Sequence, residues 1–162
     1  MKFILDTNIF IQAKNFYYGF DICPGFWQWM DAVCGDDVGS IDLVCSEMMD
    51  GRDDLAGWAK ERKDRGWFLE IDDEPTQVNF VAVANHVVNN QYSESAVEKF
   101  LAKADPWLIA KAITLGAKIV THEVPEPGSK KRVPIPNIAS HFGVECVNTF
   151  DALRHFSAAF KL

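Results

Sequence analysis

The sequence predicts an α/β domain built on a parallel sheet, because two of its features fit that fold class. Short apolar segments alternate with longer segments in which apolar residues recur at helical spacing, and this holds along the whole chain. Parallel strands need crossover connections, and helices usually supply them. The chain of 162 residues has no internal repeat and no linker rich in Gly or Ser. We therefore expect one domain over residues 1–162.

The first half of the chain opens with a short apolar strand, followed by helices with recognisable boundary residues. Thr7 and Asn8 can cap a helix after the first strand. Pro24 suits the first position of a later helix, and Gly35 suits its end. The expected elements are a strand at 2–5, a helix at 9–14, an aromatic loop at 15–22, a helix at 24–34, a strand at 38–40, helices at 41–50 and 53–65, and a strand at 67–71.

The second half contains the clearest helix of the chain. It starts at Asp105 and Pro106, has its apolar residues at helical spacing, and ends at Gly116. The segment KIVT that follows is typical of a buried strand. The expected elements are helices at 75–91, 93–102 and 105–115, a strand at 118–121, a polar loop at 124–134, a helix at 137–142, a strand at 144–147 and a helix at 149–160.

Composition and charge narrow the class of protein. Apolar residues make up 48% and charged residues 24%, the balance of a soluble globular domain. No apolar stretch is long enough for a membrane span, and Asp6 interrupts the N-terminal run, so we expect neither a span nor a secretory signal. The four cysteines form no C-x-x-C pair and predict reduced thiols in a cytoplasmic protein. The net charge of −7 argues against coating nucleic acid by bulk charge but is compatible with a nuclease that gathers carboxylates around metals.

Three acidic residues are expected at one edge of the sheet. Asp6 directly follows the first strand, and Glu123 lies two residues beyond the strand KIVT. Asp105 opens the helix that leads into that strand, and this helix runs antiparallel to the strand, so its start lies near the carboxyl ends of the strands. Functional groups of open α/β sheets collect at this edge.

Glu47 is placed by the helical periodicity of its own segment. The buried stripe of the helix at 41–50 is expected to contain Ile41, Val44, Cys45 and Met48. Glu47 therefore lies at the border of the apolar face, from which its side chain can reach the edge of the sheet.

Four carboxylates in one cleft repel each other, and without a cation at least one of them would take up a proton. A divalent metal removes that conflict, and hard oxygen ligands suit Mg²⁺ or Mn²⁺. Such a metal can activate water, bind phosphate oxygens and stabilise the leaving oxygen. The four acids together therefore predict metal-dependent hydrolysis of phosphodiester bonds.

Each acid taken singly has a non-catalytic interpretation. Asp105 before Pro106 is a good helix cap, and Asp6 could cap the helix after it. Glu47 and Glu123 are each typical of solvated surface acids. Only the set of four favours a nuclease.

Three segments of the sequence resemble one known family. FILDTN (residues 3–8), SEMMDG (46–51) and ADPWLIAKAITLGAKIVTHE (104–123) resemble the motifs of PIN-domain nucleases, including the VapC-type toxin ribonucleases, in order and approximate spacing. The resemblance implies a three-layer α/β/α sandwich with a central parallel sheet, Mg²⁺ or Mn²⁺ as cofactor, and cleavage of RNA.

The resemblance also assigns roles to residues and suggests partners. It implies that the acidic metal-site positions are Asp6, Glu47, Asp105 and Glu123, and that the supporting polar positions are Asn8 and Thr121. Many bacterial members are toxins neutralised by an antitoxin, so it implies an antitoxin partner and a homodimer. Glu123 departs from the Asp common at its position, and the aromatic segment 16–29 indicates a distinct branch of the family.

Several other residues have two interpretations each. In the loop after Glu123, Lys130, Lys131 and Arg132 could bind a phosphate backbone or simply be solvated. His122 could contact a phosphate or a metal, or be structural. Core packing is favoured over base stacking or a protein interface for most of the aromatic residues Tyr17, Tyr18, Phe26, Trp27 and Trp29.

Two other function classes compete with a nuclease. A phosphotransfer enzyme with Asp6 as nucleophile would want a second Asp two residues later, where this chain has Asn8. A non-catalytic binding or adaptor module on the same fold would be expected to lack one of the four acids. The motifs G-x-G-x-x-G, G-x-x-x-x-G-K-[ST] and G-x-S-x-G are absent, which excludes dehydrogenase, P-loop and serine-hydrolase interpretations.

Overall fold

A computed structural model describes residues 1–160 and contains a five-stranded parallel sheet in the order β3-β2-β1-β4-β5. The strands are β1 (Phe3–Leu5), β2 (Val38–Ile41), β3 (Phe68–Leu69), β4 (Lys118–Val120) and β5 (Cys146–Val147). β1 is the central strand, with Ile4 opposite Gly39 of β2 on one side and Ile119 of β4 on the other. The carboxyl ends of all five strands lie at the same edge.

Helices cover both faces of the sheet and give the expected three-layer α/β/α sandwich. They are α1 (Thr7–Gln12), α2 (Pro24–Val33), α3 (Asp42–Asp50), α4 (Asp54–Lys60), α5 (Glu74–Val88), α6 (Glu94–Leu101), α7 (Asp105–Leu115), α8 (Ile135–His141) and α9 (Thr149–His155). α5 to α8 pack against one another as one layer, while α3 packs against α1 and α4. The chain adds strands outward from β1 to β3 and then returns past β1 to add β4 and β5. Because crossovers between parallel strands are right-handed, this reversal of direction places the later helices on the opposite face of the sheet.

The predicted elements are present, although β3, β5 and α5 are shorter than expected, and three further segments differ from the prediction. Part of the expected loop at 15–22 is a π-helical turn, Ala13–Tyr17, which continues α1. α4 ends at Lys60 instead of Arg65, because Arg62 turns to pair with Asp31 of α2. α9 ends at His155, and Ser157 beyond it has a positive φ of 51°.

The aromatic segment mostly packs in the core, as expected. Phe26 and Trp27 are buried, and Tyr18 stacks on Phe26 with ring centroids 4.4 Å apart. Tyr17 behaves differently, since 69% of it is exposed. The expectation of core packing is therefore confirmed for Phe26 and Trp27 and does not hold for Tyr17.

The stripe predicted for α3 is confirmed, because Ile41, Val44, Cys45 and Met48 are all buried. All four cysteines have free thiols, as the sequence predicted. Among residues 1–160, no helix combines the length and the apolar character that crossing a membrane would require.

Candidate active site at the carboxyl edge of the sheet

Asp6 lies at the carboxyl end of the central strand, between β1 and β4. It is 2% exposed, and its backbone N–H donates to the Val120 carbonyl oxygen over 3.0 Å. The Thr121 hydroxyl donates to Asp6 Oδ2 over 2.9 Å, and Asn8 offers its backbone and side-chain N–H groups at 3.5 Å. Asp6 is also the N-cap of α1, so it both caps this helix and belongs to the acidic site.

Glu47 reaches the same edge from α3 and is held by two hydrogen bonds. The Thr7 hydroxyl donates to Oε2 over 2.5 Å, and the Ala104 backbone N–H donates to Oε1 over 3.0 Å. These bonds tie α3 to the start of α1 and to the start of α7. Glu47 is therefore a partly buried acid with a fixed orientation, which the interpretation as a solvated surface acid did not anticipate.

Asp105 is the first residue of α7 and faces the other acids. The N-cap position belongs to Ala104, which has no side chain that could cap, so Asp105 is not the capping residue of this helix. Asp105 is half-buried and lies within electrostatic range of Asp6, Glu123 and Glu47, all three of which raise its pKa. The four acids predicted from sequence therefore converge on one edge of the sheet.

Burial and mutual repulsion make two of these carboxyl groups unusually basic. Burial raises the pKa of Asp6 to about 6, although hydrogen bonds from Thr121 and Asn8 act in the opposite direction. Burial and the neighbouring Asp6 raise the pKa of Asp105 to about 7. The pKa of the Cys146 thiol is raised to about 12 by burial and by the charges of Glu123 and Asp6. The site therefore has a surplus of negative charge that neighbouring cations compensate only in part.

Glu123 is the acid that pairs with a cationic side chain. The Ile135 backbone N–H donates to its Oε2 over 2.7 Å, which fixes the start of α8. Arg132 Nη2 lies 3.4 Å from Glu123 Oε1 and 3.6 Å from Glu126 Oε1. Glu123 thus holds the loop at 124–134 against the site, whereas among residues 1–160 no cationic side chain is so close to Asp6 or Asp105.

A cleft of about 300 Å³ opens over this edge, and cations line its walls. Asn8, Asp105 and Glu123 line the acidic part. The cationic and apolar lining consists of Lys99, Lys103, Lys131, Arg132, Ala96, Phe100 and Val133. Lys131 and Arg132 therefore face the cleft, whereas Lys130 is exposed elsewhere and its carbonyl oxygen accepts from the Ser93 N–H.

Thr7, Lys99 and Lys103 were not expected at the site. Thr7 was predicted only as a helix cap, although its hydroxyl orients Glu47. Lys99 lies on α6 and Lys103 lies beyond the end of α6 at Leu101, so no helical spacing links them and the sequence held no clear signal for this pair. His122 contacts Thr149, with Nε2 3.3 Å from Oγ1, and burial lowers its pKa. Its imidazole is therefore neutral at pH 7 and gives no positive charge to the site.

The donor chemistry of the site fits a divalent cation, but its present arrangement is not a finished metal site. Within residues 1–160, no three His, Cys, Asp or Glu side chains are grouped closely enough to hold a metal ion as they stand. The fit comes from the charge: the buried carboxylate of Asp6 and the half-buried carboxylate of Asp105 repel each other, and hard cations bind such oxygens. Asp6 and Asp105 could supply oxygen ligands to such a cation, and Glu47 and Glu123 reach the same edge of the sheet.

The fold is that of PIN-like proteins, as three solved structures show. A chain in the crystal structure of FitAcB from Neisseria gonorrhoeae aligns with a TM-score of 0.55 and 14% identity, over 91% of this chain and 98% of that one. VapBC2 from Rickettsia felis, solved bound to a DNA fragment from their promoter, gives 0.55 and 13%, over 91% and 98%. FitAB bound to an IR36 DNA fragment gives 0.54 and 16%, over 90% and 94%.

The family is shown by a sequence model that matches residues 3–160. The chain belongs to the family described as domain of unknown function DUF4411. No curated protein matches the chain.

Proposed function

We propose that this protein is a metal-dependent ribonuclease that hydrolyses RNA phosphodiester bonds in the cleft at the carboxyl edge of the sheet. The observation that carries the proposal is the convergence of four carboxylates from four segments, with the pKa of Asp6 and of Asp105 raised to about 6 and about 7. A site built only for stability would gain by replacing such groups with neutral ones, because a buried unpaired charge destabilises the folded state. Perturbed acids in a cleft are typical of functional sites.

The side chains around the acids orient them for this chemistry. Thr121 and Asn8 hold Asp6, and Thr7 together with the Ala104 N–H holds Glu47, so that the orientations of these carboxylates are fixed. Asp6 and Asp105 would hold Mg²⁺ or Mn²⁺, with Glu47 and Glu123 as further ligands or as bases toward a bound water. Such a cation, when bound, would neutralise the carboxylates, bind a phosphate oxygen and favour ionisation of the attacking water.

The lining of the cleft supports a nucleic acid as substrate. The cations Lys99, Lys103, Lys131 and Arg132 line the cleft together with Asp105 and Glu123. Phosphate groups of a bound strand would contact these cations, which offsets the repulsion expected from a net charge of −7.

The similar structures support a more specific biological role as part of this proposal. FitAB and VapBC2 are toxin–antitoxin complexes with the same fold, so we propose that this chain is the toxin of such a pair in the cytoplasm, with an antitoxin as partner. An antitoxin would inhibit cleavage by covering the acidic cleft. The test is co-expression with the product of the neighbouring reading frame and measurement of complex formation.

The proposal is tested by assaying the purified protein on a mixed pool of structured and single-stranded RNA, with Mg²⁺, with Mn²⁺ and with EDTA. Asp6→Asn keeps the size of the side chain but removes the charge, so we expect cleavage to fall by about a hundredfold or more. Asp36→Asn is the matched control, because Asp36 is an exposed acid outside the cleft, and we expect no change. Absence of cleavage by folded protein under every condition would favour a non-catalytic binding module.

A further inference from the structure

A second, shallow groove lies at the same edge of the sheet, next to the acids. Its volume is only about 10 Å³, so a ligand there would lie over its exposed rings and would not enter it. We call it the aromatic groove, and its lining consists of Ile9, Gln12, Ala13, Tyr17, Tyr18, His122, Thr149 and Phe150. The groove is formed by α1, by the π-helical turn that continues it, by the residue after Thr121 and by the start of α9.

The π-helical turn places the Tyr18 ring in the core and the Tyr17 ring at the surface of the groove. The Tyr18 N–H donates to the Ala13 carbonyl oxygen over 2.8 Å, and the Tyr18 ring then stacks on buried Phe26. Tyr17, one residue earlier, points outward and is 69% exposed. Phe150 contributes a second ring to the groove and is 47% exposed. Exposing two aromatic rings at one groove is unfavourable in water, and π-helical turns are frequent at functional sites.

The aromatic groove is continuous with the candidate active site along two segments. His122 lines the groove, while its neighbours Thr121 and Glu123 contact Asp6 and line the cationic cleft. On α1, Ile9 lines the groove and Asn8 lines the cleft. The acids therefore lie between a cation-lined cleft and a groove with exposed rings.

One kind of ligand has the chemistry to use both sides. A single-stranded nucleic acid offers phosphates to the cations and flat base faces to the rings, and its base edges can hydrogen-bond to groups such as Gln12 and Thr149. In a duplex the bases are stacked inside and cannot reach the groove. We infer that Tyr17 and Phe150 form a base-binding subsite for one unpaired base of a single-stranded RNA, next to the phosphate placed at the acids; this inference rests on the proposed ribonuclease function.

The test measures RNA binding separately from cleavage. The full chain carrying Asp6→Asn, which is expected not to cut, is titrated into a fluorescein-labelled single-stranded RNA and into a blunt RNA duplex, with anisotropy as the readout. We expect tighter binding to the single strand, and we expect Tyr17→Ala and Phe150→Ala each to weaken it about tenfold. Tyr17→Phe should bind as the parent does.

Phe16→Ala is the matched control for Tyr17→Ala. Phe16 is 68% exposed, precedes Tyr17 in the chain and is not part of the groove lining. We expect it to bind RNA as the parent does. The dependence of affinity on salt should be unchanged in Tyr17→Ala and reduced in Lys131→Ala, because only the lysine contacts phosphate.

The outcomes separate this inference from the proposed function. If the unmodified chain cleaves RNA while Tyr17→Ala binds and cleaves as well as Phe16→Ala does, the base-binding subsite is wrong and the nuclease stands. If the unmodified chain neither binds nor cleaves RNA, both fall. If Tyr17→Ala leaves RNA binding unchanged but converts a dimer to a monomer in light scattering, the groove is a surface for a second copy of the chain, which also overturns the inference.

Discussion

Asp6 shows how one buried carboxylate can set the electrostatics of the whole site. The Asp6 carboxylate accepts a hydrogen bond from the Thr121 hydroxyl over 2.9 Å, yet its pKa remains raised to about 6. The hydrogen bonds therefore recover only part of the hydration that the group loses on burial. Since the ionised form is disfavoured in the folded protein, Asp6 at pH 8 destabilises the fold when no cation is bound.

We predict that Asp6→Asn stabilises the metal-free protein at about pH 8. Asn keeps an oxygen that can accept from Thr121 but has no charge to desolvate. The gain should be about 1–2 kcal/mol, seen in thermal unfolding with EDTA as a rise in melting temperature of roughly 3–6 °C. Asp36→Asn, at an exposed acid, should leave the melting temperature unchanged. A lower melting temperature for Asp6→Asn would show that the charge is compensated within the chain.

The sequence indicated the positions of the acids but not their partners, and the reason is physical. Local rules placed Asp6 and Asp105. Asp6 directly follows a strand, and Asp105 begins the helix that leads into a later strand, so both lie at the carboxyl edge of the sheet. The bond from the Ala104 N–H to Glu47 joins residues 57 positions apart, and the fold alone determines it. Lys99 on α6 and Lys103 in the connection to α7 likewise became part of the cleft only because α6 packs against α7.

At the scale of elements, β2 requires a glycine where the sheet is most crowded. A Cβ at Gly39 would lie 2.6 Å from the Trp67 carbonyl oxygen, and it would also overlap Met1. The Met1 side chain can move, but the Trp67 carbonyl belongs to the backbone and accepts the Ser40 N–H over 2.8 Å. Gly39 therefore sets how closely β3 approaches β2.

We predict that Gly39→Ala destabilises the protein by about 2–3 kcal/mol, because β3 must move away from β2. Urea denaturation followed by circular dichroism measures the change. Gly57→Ala is the matched control: Gly57 lies in α4 with open space around its Cβ position, and Ala there should stabilise the protein by about 0.5–1 kcal/mol. Equal effects of the two substitutions would contradict the importance of the close approach at Gly39.

The elements most accurately predicted are those whose limits are set by local residues. The helix predicted at 105–115 coincides with α7, which ends at Gly116 with a positive φ of 63°. The errors are at elements limited by tertiary contacts. α4 is shorter than predicted because Arg62, 9% exposed, lies over the Trp58 ring at 4.5 Å and pairs with Asp31 at 2.7 Å. The π-helical turn was missed because its limits depend on Tyr18 packing on Phe26.

For the whole molecule, the titrating acids fall into two groups with opposite effects on stability. The pKa of Asp73 is lowered to about 2 by its hydrogen bond with Lys111, so Asp73 stabilises the fold above about pH 4 and loses this contribution as the pH falls toward 2. Asp6 and Asp105 have a raised pKa, so the folded state holds their protons more tightly than the unfolded state does. Their contribution is present below about pH 4 and is lost as the pH rises through about 6 to 7.

We predict a stability maximum at mildly acidic pH for the metal-free protein. The free energy of unfolding in EDTA should fall by at least roughly 3 kcal/mol between about pH 4 and pH 8, because the rise in the pKa of Asp6 on folding from 3.8 to about 6 already accounts for that amount and Asp105 adds to it. Urea denaturation across this range measures it. In Asp6→Asn/Asp105→Asn the decline should be much smaller, because the two groups that lose protons are gone.

The same charge balance predicts how a cation acts on the fold. At about pH 8, Mg²⁺ or Mn²⁺ at a hundred times its dissociation constant should restore about 2.7 kcal/mol, because it binds only the folded arrangement of the acids. At about pH 5 the same cation concentration should restore less, since protons then compete with the cation for Asp6 and Asp105. The double variant should gain nothing at either pH. A cation effect of equal size in the double variant would place binding at other carboxylates and remove the electrostatic basis for the proposed active site.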